Sequence, residues 1–231
     1  MIRLITRNLG GLILLLALSL VTLPAAAAGT WFATDEGAVI WDSGSHPENS
    51  ATWTGDKNAD NYANGTGVLK TYVDGSLYLV YEGPIVNGKV TGHGRIDWTK
   101  GASYEGDLVD WVFHGKGLAR WAGGASYDGD WVNGKRQGKG IYQFGDGSSF
   151  AGDFADDRPD GKGLYKWANG ITYEGDVVGG VGTGKGIMHF PDGAYYQGGF
   201  LGGKPHGYGV LYKPDGTVLK DGQWANGQFI G

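Results

Sequence analysis

The sequence predicts an all-β protein, an elongated single-sheet solenoid of successive antiparallel β-hairpins. Three observations carry that expectation. An opening aromatic recurs every 23 residues, at Tyr81, Tyr104, Tyr127, Phe150, Tyr173 and Tyr196, a period in the range of stacked repeat architectures. Two return glycines keep the same step, as Gly92/Gly94, Gly115/Gly117, Gly138/Gly140, Gly161/Gly163, Gly184/Gly186 and Gly207/Gly209, and so do the turn glycines 101, 124, 147, 170, 193 and 216. Between these marks the residues alternate with period two, and Asn-Gly and Asp-Gly dipeptides stand where a strand must reverse. The 46 glycines do not fall at every third residue, which excludes collagen, and nine Trp, 13 Tyr and eight Phe give a disordered chain no support.

Taken in order, residues 1–28 read as a cleavable signal peptide. Arg3 and Arg7 precede an apolar run from Leu12 to Leu23, then Pro24 and four alanines that offer an Ala-x-Ala site. The apolar run is short of the roughly 20 residues of a spanning helix. Cleavage after Ala27 or Ala28 is expected, and it would move the formal net charge from −5 to −7. That balance argues against nucleic acid and anionic lipid as general partners. With no cysteine in the chain, neither a lipid-bearing cysteine nor a disulfide is available. The expected location is periplasmic or secreted.

Residues 29–52 lack the repeat signature but carry Trp31, Phe32 and Ala38-Val39-Ile40-Trp41. A solenoid end exposes a raw edge, so this segment reads as an N-terminal capping strand, with a partner-binding arm as the alternative. The array proper spans 53–231. Its first unit, starting near 53, is divergent, with Trp53-Thr54-Gly55 followed by Asn64-Gly65-Thr66-Gly67 and Asp74-Gly75. Regular units start at 81, 104, 127, 150, 173 and 196, and a partial unit starts from 220.

Alternation puts Tyr127, Gly129 and Trp131 on one face of the first strand of their unit. If Gly129 lies opposite Gly140, then Gly138, Gly140, Tyr142 and Phe144 share that face, and the absent side chains leave room for rings. The same register sets Asp130 opposite Lys139 on the other face, and likewise Asp107/Lys116, Asp153/Lys162 and Asp176/Lys185. Four such pairs read as a structural salt ladder rather than as catalytic carboxylates or metal ligands.

This signature, Tyr-x-Gly-x-Trp-x-Asn-Gly-Lys through Gly-x-Gly to an aromatic and Asp-Gly, resembles the MORN repeat (membrane occupation and recognition nexus). The resemblance covers Trp53 to the C-terminus. It implies a twisted sheet of successive hairpins and a role in binding or scaffolding.

Other chemistry is weakly supported. Residues 179–185 approach a phosphate-binding loop, but Gly186 replaces the metal-binding hydroxyl and no helix follows. Asp153, Asp156, Asp157 and Asp160 lack the spacing of a calcium loop. His46, His93, His114, His189 and His206 show no metal spacing, and no Gly-x-Ser-x-Gly motif occurs. No cofactor and no enzymatic activity are expected.

Trp111 stands where other units have the loop glycine, so the tip containing Trp111 and Phe113 either offers a contact or folds back over its own hairpin. Along the strip, Trp121, Tyr127, Trp131, Phe144, Phe154, Trp167, Tyr173 and Phe190 complete the candidate partner-binding set. The expected function is non-catalytic binding or scaffolding of a protein partner. Glycan binding along the strip is an alternative, and so is peripheral membrane association, for which the sequence offers neither a basic face nor an amphipathic helix.

Overall fold

The computed structural model describes residues 29–42 and 50–231. The expected signal peptide lies outside them. Among the described residues every regular element is a β-strand. The chain divides into two compact units, one ending at Gly145 and the other running from Asp146 to Gly231.

The first unit contains β1 (Thr30–Ala33), β2 (Val39–Asp42), β3 (Ser50–Trp53), β4 (Asp56–Lys57), β5 (Ala63–Val73) and β6 (Ser76–Val86). It continues through β7 (Lys89–Trp98), β8 (Ser103–Val109), β9 (Val112–Arg120), β10 (Ser126–Val132) and β11 (Lys135–Gln143). β1 and β2 form a separate hairpin. From β3 and β4, both laid on β5, each strand to β11 pairs antiparallel with its successor. The second unit repeats the plan with β12 (Ser149–Ala155), β13 (Arg158–Lys166), β14 (Thr172–Val178), β15 (Val181–His189), β16 (Tyr195–Leu201), β17 (Lys204–Tyr212), β18 (Val218–Ala225) and β19 (Gln228–Phe229). The predicted all-β fold of successive hairpins is the observed one.

The hairpin tips are tight. Asn133 and Gly134 both have positive φ, 51° and 76°, the conformation of the type I′ turn whose twist suits paired strands. Within the hairpin Gly129 does face Gly140, but the register then slips: Asp130 faces Gln137 and Trp131 faces Arg136. A β-bulge at Gly138-Lys139 absorbs the difference, with Gly138 at φ 62°. The step from β9 to β10 carries no slip, with Gly129 facing Gly117 and Asp130 facing Lys116.

The bulge corrects the expected role of one glycine. Gly138 does not make room for a ring, because a Cβ there would lie 2.6 Å from the Asp130 carboxylate. Gly140 has the expected role, since a Cβ on it would fall against the ring of Tyr127. Tyr104 over Gly117, Phe150 over Gly163, Tyr173 over Gly186 and Tyr196 over Gly209 repeat the arrangement. The rings thus lie flat on glycine backbone of their own hairpin, which is how a one-layer sheet buries them fully.

Each opening tyrosine is also fixed by its polar end. The hydroxyl donates to the carbonyl three residues on, Tyr81 to Pro84 (2.8 Å), Tyr104 to Asp107 (2.8 Å), Tyr127 to Asp130 (3.1 Å), Tyr173 to Asp176 (2.7 Å) and Tyr196 to Gly199 (3.1 Å). In the divergent unit the Trp53 indole N–H makes the same bond to Asp56 (2.9 Å). Burial pushes the phenols of Tyr81, Tyr104 and Tyr173 well above the ordinary tyrosine range, and that of Tyr196 up to about 12.

Candidate functional site

The two faces of the sheet offer different chemistry. On the ring face, Trp131 and Phe200, at the fifth position of their units, pack against the opening ring of the preceding unit as well as their own, Trp131 5.9 Å from Tyr104 and Phe200 4.8 Å from Tyr173. Trp131 is edge-on to Tyr127, with centroids 5.1 Å apart, and donates its indole N–H to the carbonyl of Gly117, 2.9 Å away. Phe113 stacks on Tyr104 at 3.7 Å. Of the ten candidate contact residues, Tyr127, Trp131, Phe154, Tyr173, Trp111 and Phe113 are buried. They form core.

The tip aromatics are therefore not an exposed patch. Trp111 takes φ 70° at the second turn position, and its ring reaches Tyr81 (5.5 Å between centroids). Its indole N–H donates to the carbonyl of Trp41, 2.8 Å away. It folds over residues of other elements rather than over its own hairpin alone.

The other four candidates, Trp121, Phe144, Trp167 and Phe190, are half-buried. Together with Trp98 they sit where one hairpin turns into the next, on the turn side of the ring face. In the first unit Trp121 and Phe144 flank Tyr142 at 5.8 Å and 4.6 Å. Arg136 is buried among these rings, its guanidinium 5.0 Å from the Tyr142 centroid and 5.8 Å from that of Tyr127, which is cation–π distance. Sequence reasoning missed it, since an Arg in a polar tip loop reads as solvated. In the second unit Trp167 stacks on Tyr165 at 5.3 Å, and its indole N–H is buried without a hydrogen-bond partner.

On the opposite face the acids and lysines pair differently from the predicted ladder. The Asp130 carboxylate does not meet the ammonium of Lys139 across its hairpin; it accepts the backbone N–H of Lys139 at the bulge, 2.9 Å away. Asp107 holds the amide of Lys116, Asp153 that of Lys162 and Asp176 that of Lys185 in the same way, at 2.9–3.1 Å. The ammonium groups reach one hairpin further. Lys116 pairs with Asp130, Lys162 with Asp176 at 2.7 Å, and His93 occupies the equivalent rung to Asp107 at 3.3 Å. The bulge is the physical reason, because it withdraws each Lys from its own Asp and the unslipped inter-hairpin register brings it beside the next. These partners hold the carboxyls of Asp130 and Asp176 below the usual range, the Lys side chain contributing most.

In the acidic hairpin, Asp153 holds the amide of Lys162 and Asp160 that of Gly179. Residues 179–180 form a positive-φ tip between β14 and β15. Among the described residues no group of three or more His, Asp or Glu side chains is placed to hold a metal ion. A second feature escaped the sequence reading. The sixth position of successive units projects an aliphatic side chain to solvent, with Val86, Val109 and Val132 about half exposed in the first unit.

The family model for the MORN repeat matches residues 104–126, 127–149, 150–172, 173–195 and 196–218, five consecutive units. No curated protein matches the sequence. Among solved structures, the chain is similar to the TCP domain of Drosophila melanogaster SAS-4 (dCPAP), determined in complex with a proline-rich motif of Ana2 (dSTIL). Identity there is 15%, over 87% of this chain and 95% of that one, with a TM-score of 0.39. The G-box domain of the microcephaly protein CPAP gives 10% identity, 82% and 90% coverage and a TM-score of 0.41. The TCP10 domain of Danio rerio CPAP gives 12%, 84%, 100% and 0.23.

Proposed function

The chain belongs to the MORN-repeat family, and from that premise we propose that it is an exported, non-catalytic scaffold that binds a protein partner through the turn side of its ring face. One observation carries the reading. The opening rings of the ring face are buried, while in the first unit Trp98, Trp121 and Phe144 stay half-buried at a constant 23-residue step. Two strands per step at about 4.8 Å each place these rings roughly 10 Å apart. A row of rigid, partly desolvated aromatics is what an interface uses as anchors.

The non-catalytic part is supported by what the ionisable groups do. The carboxylates of Asp107, Asp130 and Asp176 each hold a bulge amide, and each faces a side chain of the neighbouring hairpin, the His93 imidazole for Asp107 and the Lys116 and Lys162 ammonium groups for the other two. Such groups are engaged by the fold, whereas an acid–base pair needs two carboxylates in unlike environments. The export part rests on the charged, apolar and Ala-x-Ala order of residues 1–28.

The test combines capture and substitution. Mature protein recovered from its host should begin at Ala28 or Gly29. A Trp121→Ala/Phe144→Ala variant should keep its urea midpoint within about 1 kcal/mol of wild type, since these rings are only half-buried, and lose the partner that wild type retains. Retention of the same partner by the double variant would reject the ring row as the interface.

A further inference from the structure

The N-terminal segment does more than lie at the end of the array. In an antiparallel edge strand, alternate residues direct both main-chain groups away from the sheet. On β3, paired to β5 on its other side, those residues are Ala51 and Trp53. The segment satisfies both: the N–H of Asp35 donates to the Ala51 carbonyl (2.8 Å), and the Trp53 N–H donates to the Glu36 carboxylate (3.0 Å). Lys57 closes over it, its ammonium 2.8 Å from the Glu36 carbonyl.

From there the segment runs along the hairpin tips. The N–H of Val39 donates to the Asn61 carbonyl (2.8 Å) and that of Trp41 to the Gly88 carbonyl (2.7 Å). Lys89, paired with Asp110 at 2.9 Å, lies 5.5 Å from the Trp41 ring. The last tie is Trp111, whose indole N–H holds the Trp41 carbonyl.

Trp111 occupies a left-handed position. The neighbouring tips carry glycine at similar φ, Gly88 at 77° and Gly134 at 76°, and the small Asp157 takes the position at 70° in the second unit. A bulky side chain is costly there. The turn does not need it, so the side chain is explained by what it holds.

We propose that residues 35–41 are a strap, latched by Trp111, that fills a strand-accepting groove formed by β3, the 58–62 loop and the tips of hairpins β6–β7 and β8–β9. When the latch opens, the groove takes an extended segment of a partner protein with the strap's own chemistry. The occupant is specified by the groove. A carboxylate is required opposite the Trp53 amide and Lys57. Main-chain N–H groups must follow at the spacing of Val39 and Trp41, with apolar side chains such as those of Ala38 and Ile40, which are fully buried. The pattern is acidic residue, short residue, then an aliphatic run ending in an aromatic. This groove is separate from the ring row and does not depend on it.

The experiment uses the full chain. Trp111→Gly supplies the residue found at the two neighbouring tips, and Trp111→Phe keeps the ring against Tyr81 while removing the N–H donor. Hydrogen exchange of the Val39 and Trp41 amides should accelerate on the order of ten-fold in Trp111→Gly, with a smaller increase in Trp111→Phe, as expected for the loss of one net hydrogen bond and its packing. A fluorescent synthetic peptide of residues 34–42 should bind a Glu36→Ala chain, whose strap is weakened while the groove is intact, at least about ten-fold tighter than wild type, where the tethered strap outcompetes it. The same peptide with Glu36→Ala should lose that binding. Unchanged Val39 and Trp41 exchange in both variants overturns the latch, as does acceleration that is equal at Tyr104 and Tyr127. Equal binding of the parent and Glu36→Ala peptides overturns the groove.

Discussion

Replacing Asp130 by Ala tests whether the carboxylates of the polar face hold the bulges or a ladder of ion pairs. Asp130 makes two bonds, to the amide of Lys139 within its own hairpin and to the ammonium of Lys116 in the hairpin before it. The Lys116 side chain is 74% exposed, so that pair is worth roughly 0.2–0.5 kcal/mol after screening and side-chain entropy. The bond to the amide is charge-assisted, replaces a ladder bond lost to the bulge, and resembles a helix N-cap, whose removal costs about 1–2 kcal/mol. Asp130→Ala is thus expected to destabilise the first unit by about 1.5–2 kcal/mol and Lys116→Ala by under about 0.5 kcal/mol. Asp130→Asn, which keeps an acceptor oxygen, should fall between them. Urea unfolding followed by tryptophan fluorescence gives the free energies, and exchange of the Lys139 amide locates the loss. The pH dependence has a defined sign. A carboxyl whose folded pKa is lowered contributes stability that is present above the unfolded value near about 4 and lost as pH falls through the folded one. Asp130→Ala should therefore flatten the acid limb of the stability curve. If Lys116→Ala costs as much as Asp130→Ala, or if the Lys139 amide exchanges no faster in Asp130→Ala, the carboxylate is not the bulge's support and the reasoning fails.

Gly140→Ala should cost about 3 kcal/mol by forcing a Cβ against the Tyr127 ring, whereas Gly147→Ala, with open space around it and φ 87°, should cost only about 1–2 kcal/mol of backbone strain. Denaturation midpoints separate the two. Trp131→Phe keeps most of the ring but strips the buried Gly117 carbonyl of its indole donor, an expected loss of about 1–3 kcal/mol. Phe150→Tyr supplies the hydroxyl that Tyr127 and Tyr173 direct to the carbonyl three residues on, and it should stabilise the second unit by about 1 kcal/mol; a lowered midpoint would show that the site has no room for it. Spectrophotometric titration should find Tyr81, Tyr104 and Tyr173 un-ionised through pH 10. A phenol whose folded pKa is raised gives stability that is full below the unfolded value near about 10 and is lost above it, so base should unfold the chain and ionise these groups together.

The repeat was legible in the chain because its causes are local. A ring that must lie on backbone demands glycine beneath it, and a two-residue reversal demands Asn-Gly or its equivalents, so both leave marks at fixed spacing. The facing of Gly129 and Gly140, a condition of the sequence reading, is the observed register. What escaped was whatever depends on a two-residue bulge or on segments far apart in sequence. The bulge at Gly138-Lys139 shifts the return strand by two positions, which moves Asp130 from opposite Lys139 to opposite Gln137 and turns the expected ladder within hairpins into one between them. The Gly-x-Gly pair looked like one device and is two, a left-handed bulge at the first glycine and a seat for a ring at the second. Exposure was harder still. Trp111 and Trp121 both read as aromatics at a turn, yet the first is sealed by its bond to Trp41, 70 residues away, and the second remains half open. Sequence determined the strand order, the turn positions and which side chains share a face, because these are set by period and by backbone geometry. Only the tertiary structure decided which rings are core and which are surface, because burial depends on what the N-terminal strap and the neighbouring hairpins bring over each ring.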